Sequence, residues 1–170
     1  MIKRNLLVMG LAVLLSACGF QLRGTGTNEL AIKELDLSAR NAYGEVVTQL
    51  RQVLESSGVK VYSGAPYKLV LTDEQESQRI LSYAGAGRTG EYQVSTVLNY
   101  DIRGESNLTL LSDKLEVQKI FIHDGSNLVG SDQEANDARK ETRRELVQRM
   151  MLRLQQLTPA QLDQMQQTAN

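Results

Sequence analysis

From Tyr92 to Ile102 the chain alternates with a period of two. Tyr92, Val94, Thr96, Leu98, Tyr100 and Ile102 fall on one face, Gln93, Ser95, Asn99, Asp101 and Arg103 on the other, and Val97 alone breaks the pattern. Successive side chains of a strand point to opposite sides of its sheet, so this run predicts a strand with one buried and one wet face, as in an antiparallel sheet covered on one side only. Near Gly130 the period changes from two to 3.6 residues: Ala135, Ala138, Thr142, Leu146, Met150, Leu154 and Leu157 form a stripe along a long helix, and Ser131 with Glu134 fits a capping box at its start. A chain carrying both patterns has to lay helix against sheet.

The remaining segments fit between these two. Ile32 to Leu37 reads as a short strand, and Glu45 to Ser57 as an amphipathic helix with Val46, Val47, Leu50, Val53 and Leu54 inward and Gly58 suited to a left-handed cap. Val59 to Tyr62 is extended until Gly64-Ala65-Pro66 breaks it, and a long strand is predicted from Tyr67 through polar Asp73 to Tyr83. Leu115 to Ile122 defines the last strand, after a turn around Gly104 to Asn107. The order β-α-β-β-β-α supplies two helices, too few to cover both faces of a sheet. We therefore expect an α+β two-layer sandwich: a mostly antiparallel three- to four-stranded sheet with both helices packed on one face. The folded domain is expected over residues 31–157, with residues 158–170 as a loose Gln-rich C-terminal tail in which Thr158-Pro159 caps at most one more short turn containing Leu162 and Met165.

The N-terminus does not belong to that domain. Lys3 and Arg4 precede an apolar run from Leu6 to Leu15, about ten residues where a hydrocarbon core needs about twenty, so Met1 to Ala17 reads as a cleaved export signal and not a membrane helix. Leu15-Ser16-Ala17-Cys18 resembles the lipobox of bacterial lipoproteins, which implies cleavage before Cys18, S-diacylglycerol and N-acyl groups on that residue, and residues 18–30 as a lipidated tether. Several acyl chains exceed the two-signal threshold for stable membrane anchoring. Gly19, where a retained lipoprotein would carry Asp, implies the outer membrane. Cleavage removes two bases and no acid, moving the formal charge from −1 to −3, an acidic balance that argues against nucleic-acid binding by the whole chain. With one cysteine and one histidine, neither an intramolecular disulfide nor a usual zinc site is expected.

Three further patterns invite chemistry. Gly85-Ala86-Gly87-Arg88-Thr89-Gly90 matches G-x-G-x-x-G, but the pyrophosphate site needs a helix after it and here a strand follows, so Ala84 to Gly90 is read as a hairpin loop presenting Arg88. His123-Asp124 suggests a base and its orienter, yet no serine lies in a nucleophile elbow, and no catalytic residue is assigned. Asp132, Glu134, Asp137, Glu141 and Glu145 interleave with Arg139, Lys140, Arg143, Arg144 and Arg149, which reads mainly as a solvated helix face with pairs such as Glu145 and Arg149.

Taken together, Cys18-Gly19-Phe20-Gln21-Leu22-Arg23-Gly24, the helix end Leu54-Glu55-Ser56-Ser57-Gly58-Val59, the segment Gly90-Glu91-Tyr92-Gln93-Val94 and the acidic start of the last helix resemble the LPS-assembly lipoprotein family LptE. The resemblance spans essentially the whole mature chain. It implies a non-enzymatic outer-membrane lipoprotein, without a cofactor, that plugs the lumen of the β-barrel LptD in a one-to-one complex, helps that barrel assemble, and binds lipopolysaccharide on its way to the outer leaflet. It also implies basic residues near sheet-end loops as ligand-binding groups. Arg88 is the one base in its loop and the Asp124 to Ser131 loop has none, so Lys119 and Lys114 on the neighbouring strand are the further candidates. The alternative, drawn from a different class, is a free periplasm-facing binding or inhibitor lipoprotein with a soluble protein target.

Overall fold

The computed structural model describes residues 30–84 and 89–169. Five strands, β1 (Glu34–Ala39), β2 (Lys60–Val61), β3 (Lys68–Ala84), β4 (Thr89–Arg103) and β5 (Thr109–Asp124), form one sheet in the order β2-β1-β3-β4-β5. Among the described residues three helices accompany it: α1 (Glu45–Ser56), α2 (Leu128–Gln155) and α3 (Pro159–Ala169). The α+β class is as expected, with two refinements to the sheet. The short extended segment after α1 joins it as an edge strand, and β1 runs parallel to both of its neighbours while β3, β4 and β5 are antiparallel.

The alternation of β4 lands as read. Val94, Thr96, Leu98, Tyr100 and Ile102 are buried beneath the helices, and the intervening residues face away from them. On α1 the buried positions are Val46, Val47, Leu50 and Leu54, and its end is a Schellman motif: Gly58, at φ +82°, donates to the Glu55 carbonyl at 3.0 Å and Val59 to that of Leu54 at 3.1 Å. That φ suits glycine. Behind the cap, Leu54 and Val59 share the main core with Leu35, Leu69, Tyr100, Leu146, Met150 and Leu154.

Two helix ends differ from expectation. α2 starts three residues earlier than Ser131, because the Asn127 side chain caps it by accepting from the Gly130 amide at 3.1 Å. The expected capping box fails for a tertiary reason: buried Ser131 accepts from the Asp124 amide at 2.7 Å and donates to its carbonyl at 3.1 Å, tying α2 to the end of β5. The expected loose tail is instead largely the helix α3. Thr158 Oγ1 accepts from the Gln161 amide at 3.3 Å, Gln161 Oε1 accepts from the Thr158 amide at 3.0 Å, and Pro159 occupies the first helical position.

Burial of Leu162 and a hydrogen bond from the Tyr67 hydroxyl to the Asp163 carboxylate dock α3. Desolvation first, then that bond, push the Tyr67 phenol up to about 12 from an ordinary 10. The folded state therefore holds the Tyr67 proton where the unfolded chain has released it, and this contribution to stability is complete below pH 10 and lost as pH rises from about 10 through about 12. Urea midpoints across that range are expected to fall more steeply for the natural chain than for Tyr67→Phe; parallel curves would exclude this linkage.

Candidate functional site

The helical layer does not extend evenly over the sheet. β3 is 17 residues long, about 55 Å at roughly 3.3 Å per residue, but β1 pairs with it only along Lys68 to Leu71. From Glu74 to Tyr83 the strand is exposed, and its edge away from β4 has no strand beside it among the described residues. The main core lies beneath the near half of the sheet. Towards the far end only a small cluster remains, Val94, Phe121, Ala135 and Ala138 with Tyr92 against it. A buried hydrogen bond of 2.9 Å between Thr96 and Thr142 sits on the same β4 and α2 faces, between Leu98 of the main core and Val94 of the small cluster.

At the far end the register brings Tyr83, Gly90 and His123 side by side, then Ala84, Thr89 and Asp124. This end is rich in exposed apolar side chains: Tyr83 at 63%, Ile120 at 56%, Ile122 at 57%, and, where α2 begins, Leu128 at 60% and Val129 at 84%. Gly90 has a steric reason to be glycine, since a Cβ there would lie 2.7 Å from the Ser82 carbonyl oxygen. Arg88 belongs to the loop joining these strands and lies outside the described residues, as does Cys18. The apolar tip went unread in the sequence. A signal for it exists in Ile120-Phe121-Ile122, where apolar residues occupy both strand faces in succession.

Behind the tip, the sheet face turned from the helices is a polar ladder. Arg79 Nε donates to Gln93 Oε1 at 2.6 Å, Gln93 donates in turn to Gln118, and Gln118 Nε2 donates to Glu116 Oε1 at 2.6 Å. The Gln118 and Ser95 donors hold the Glu116 carboxyl below its usual range, and the Ser112 hydroxyl and Arg103 guanidinium do the same for Asp101. These carboxylates stay charged in neutral solution. The face is polar and already hydrogen-bonded, a surface that water or another polar wall can cover without loss.

The remaining sequence candidates separate on this frame. Lys114 is exposed on the open face opposite Asn99, whereas Lys119, opposite Val94, lies on the helix side with its ammonium 2.7 Å from Glu141. Five residues apart on one strand and on opposite faces, the two do not share a site. His123 does not form a dyad with Asp124: its ring lies 4.9 Å from that of Tyr92, and the Asp124 carboxylate accepts from the Ser126 amide at 2.8 Å and hydroxyl at 2.7 Å. On α2 the expected Glu145 to Arg149 pair forms at 2.6 Å. Arg139 and Arg143 instead cross to Glu76 of β3 at 2.9 and 3.0 Å, and Arg143 also meets Glu45 of α1 at 2.7 Å, clamping the three elements together. Among the described residues no helix is long and apolar enough to cross a membrane, and no group of three acidic, histidine or cysteine side chains is placed to hold a metal ion.

Residues 32–154 match the model of the family described as LptE, lipopolysaccharide-assembly. The chain is 30% identical over 155 residues to the LPS-assembly lipoprotein LptE of Pectobacterium atrosepticum, covering 87% of this chain and 83% of that protein. It is 25% identical over 170 residues to that of Yersinia enterocolitica, covering 97% and 82%. In fold it resembles the solution structure of lipoprotein B from Nitrosomonas europaea, with a TM-score of 0.64 at 20% identity over 78% of this chain and 88% of that one. The crystal structure of rare lipoprotein B from Shewanella oneidensis is similar to the same degree, with a TM-score of 0.63 at 21% identity over 71% and 91%.

Proposed function

Since this chain belongs to the LptE family of lipopolysaccharide-assembly lipoproteins, we propose that it serves that assembly as the partner and lumenal plug of the LptD β-barrel, and that it binds lipopolysaccharide at the far end of its sheet. The observation that carries the reading is the amphiphilic form of the exposed three-stranded blade: a polar, helix-free face that ends in Ile120 and Ile122, with Tyr83 exposed at the same end on the opposite face. The lumen of a large barrel is polar, and a polar wall suits the open face. Lipopolysaccharide joins acyl chains to anionic groups, and the apolar tip beside the loop that carries Arg88 offers a matching pair of chemistries. Anchoring follows from the lipobox: Cys18 carries the acyl groups, and the domain works at the outer membrane. The LptD partnership and ligand binding rest on family membership together with this surface.

The test is a detergent extraction of the full chain from its own membranes. It is expected to recover a one-to-one complex with an outer-membrane barrel. Recovery of a monomer alone would support the free binding lipoprotein in its place.

Ligand binding has its own prediction. Arg88→Glu is expected to weaken lipopolysaccharide binding about tenfold or more at low salt, because a charge-assisted contact is replaced by repulsion and screening is least there. Lys119→Ala is expected to change little, since that ammonium is already paired with Glu141. Equal affinities for Arg88→Glu and the natural chain, measured by surface plasmon resonance, would remove Arg88 from the site.

A further inference from the structure

Between α1 and α2, on the side away from the sheet, runs an open groove of about 660 Å³. Val53, Val147, Met151 and Leu152 give it an apolar floor, and its rim is glutamine and serine, with Arg144 the one charged residue on its wall among the described residues. Leu152 is 58% exposed there, a large apolar side chain with no described neighbour covering it. Towards the far end of the molecule the two helices are joined by the Arg143 to Glu45 contact at 2.7 Å. At its other end both helices stop, α1 at Ser56 and α2 at Gln155.

That open end is where the described chain begins. Leu30 is 2% exposed and shares the core with Leu54, Val59 and Leu157, and the Lys33 carbonyl accepts from the Lys60 amide at 2.8 Å just after the α1 cap. The first described residues therefore lie near the C-terminal end of α1, at the end of the helical layer where the groove is open. Twelve residues separate Cys18 from this point if Cys18 is counted with them, and fully extended they span about 40 Å. The groove itself, from Ser57 back to Gln49, is about 12 Å long at 1.5 Å per helical residue. Reach is ample. Within the segment the two large apolar residues are Phe20 and Leu22, spaced to lie on one side of an extended chain, with Gly19, Gly24 and Gly26 around them.

We propose that the groove between α1 and α2 seats the chain's own Phe20-Gln21-Leu22 segment. The apolar pair covers Val53, Val147, Met151 and Leu152, and the neutral rim receives the peptide between them. Seating places Cys18 two residues from the groove, so that an anchor on Cys18 holds the helical layer close to the bilayer and leaves the open sheet face turned elsewhere. The anchor then acts on the orientation of the domain as well as on its location. The seating itself does not depend on the partner or ligand proposed above.

The test uses the chain from residue 18 onward with Cys18→Ala, so that only introduced thiols react. Gln21→Cys combined with Gln52→Cys, and separately with Gln155→Cys, is expected to form an intramolecular disulfide under mild oxidation, while Gln21→Cys with Gln118→Cys on the open sheet face is not. Equal yields at rim and sheet face, or disulfides formed only between two chains, overturn the proposal; the latter result assigns the groove to a second copy. Independently, Phe20→Asp with Leu22→Asp is expected to speed amide hydrogen exchange in the facing halves of α1 and α2 by about tenfold. Unchanged exchange in that double variant also overturns it.

Discussion

Replacing Leu146 with alanine is expected to destabilise the domain by about 3 kcal/mol, within the range of roughly 2–5 kcal/mol seen for fully buried leucines. The position explains the size. Leu146 is 0% exposed, on the helix that packs against β4, β5 and α1 at once, so the atoms removed face the centre of the main core and not its margin. Helix and sheet are further fixed by the Arg139, Arg143 and Glu76 clamp and by the Thr96 to Thr142 bond, which restrain the core from collapsing into the gap. A domain of this size has about 5–15 kcal/mol in total, so the variant is expected to remain folded with a clearly lower urea midpoint and an unchanged slope. A shift below about 1 kcal/mol would mean that α2 moves freely over the sheet.

A second change is expected to alter where the protein is found. On the proposed lipidation of Cys18, Cys18→Ala takes away the acceptor, and no acyl chain can be added. Each buried methylene of such a chain contributes about 0.8 kcal/mol to membrane binding, and one short chain alone is only marginal. Loss of all of them is expected to remove the lipid-modified form almost completely, leaving a soluble chain or a precursor that keeps its uncleaved apolar signal. Fractionation with mass measurement of the N-terminal peptide checks this. A natural chain whose Cys18 peptide carries no lipid mass would remove the anchor and its consequences.

Legibility in the sequence followed the range of the interactions. The β4 strand and the α1 helix were read to within a few residues, because their apolar periods and the Gly58 cap are local. The start of α2 was misplaced because Ser131 answers to Asp124 across a turn and not to its own helix. In the tail, the Thr158-Pro159 cap is local and legible, but it implies no more than a short turn; what holds the full helix α3 is distant, Tyr67 against Asp163 and burial of Leu162. The same limit applies to charge. Spacing reveals Glu145 with Arg149, four residues apart, but cannot show Arg139 reaching Glu76, sixty-three positions back. For Lys119 the signal was available: it has the parity of buried Val117 and Phe121, which places it on the helix side.

The parallel placement of β1 between β2 and β3 also bears on how the chain folds as it emerges from an export channel. β1 leaves the channel first among the strands, yet both of its neighbours follow it, and its longer contact waits for Lys68 to Leu71. The polar outer stretch of β3 in turn has no partner until β4 arrives. Until then the chain carries Leu35, Leu37, Leu69 and Leu71 without a covering layer, while the hairpins from β3 to β5 close locally once all their residues are out. Non-local parallel pairing of this kind is slow and exposed to aggregation. The early strand is therefore the part of this protein with the greatest need of a holding chaperone during transit.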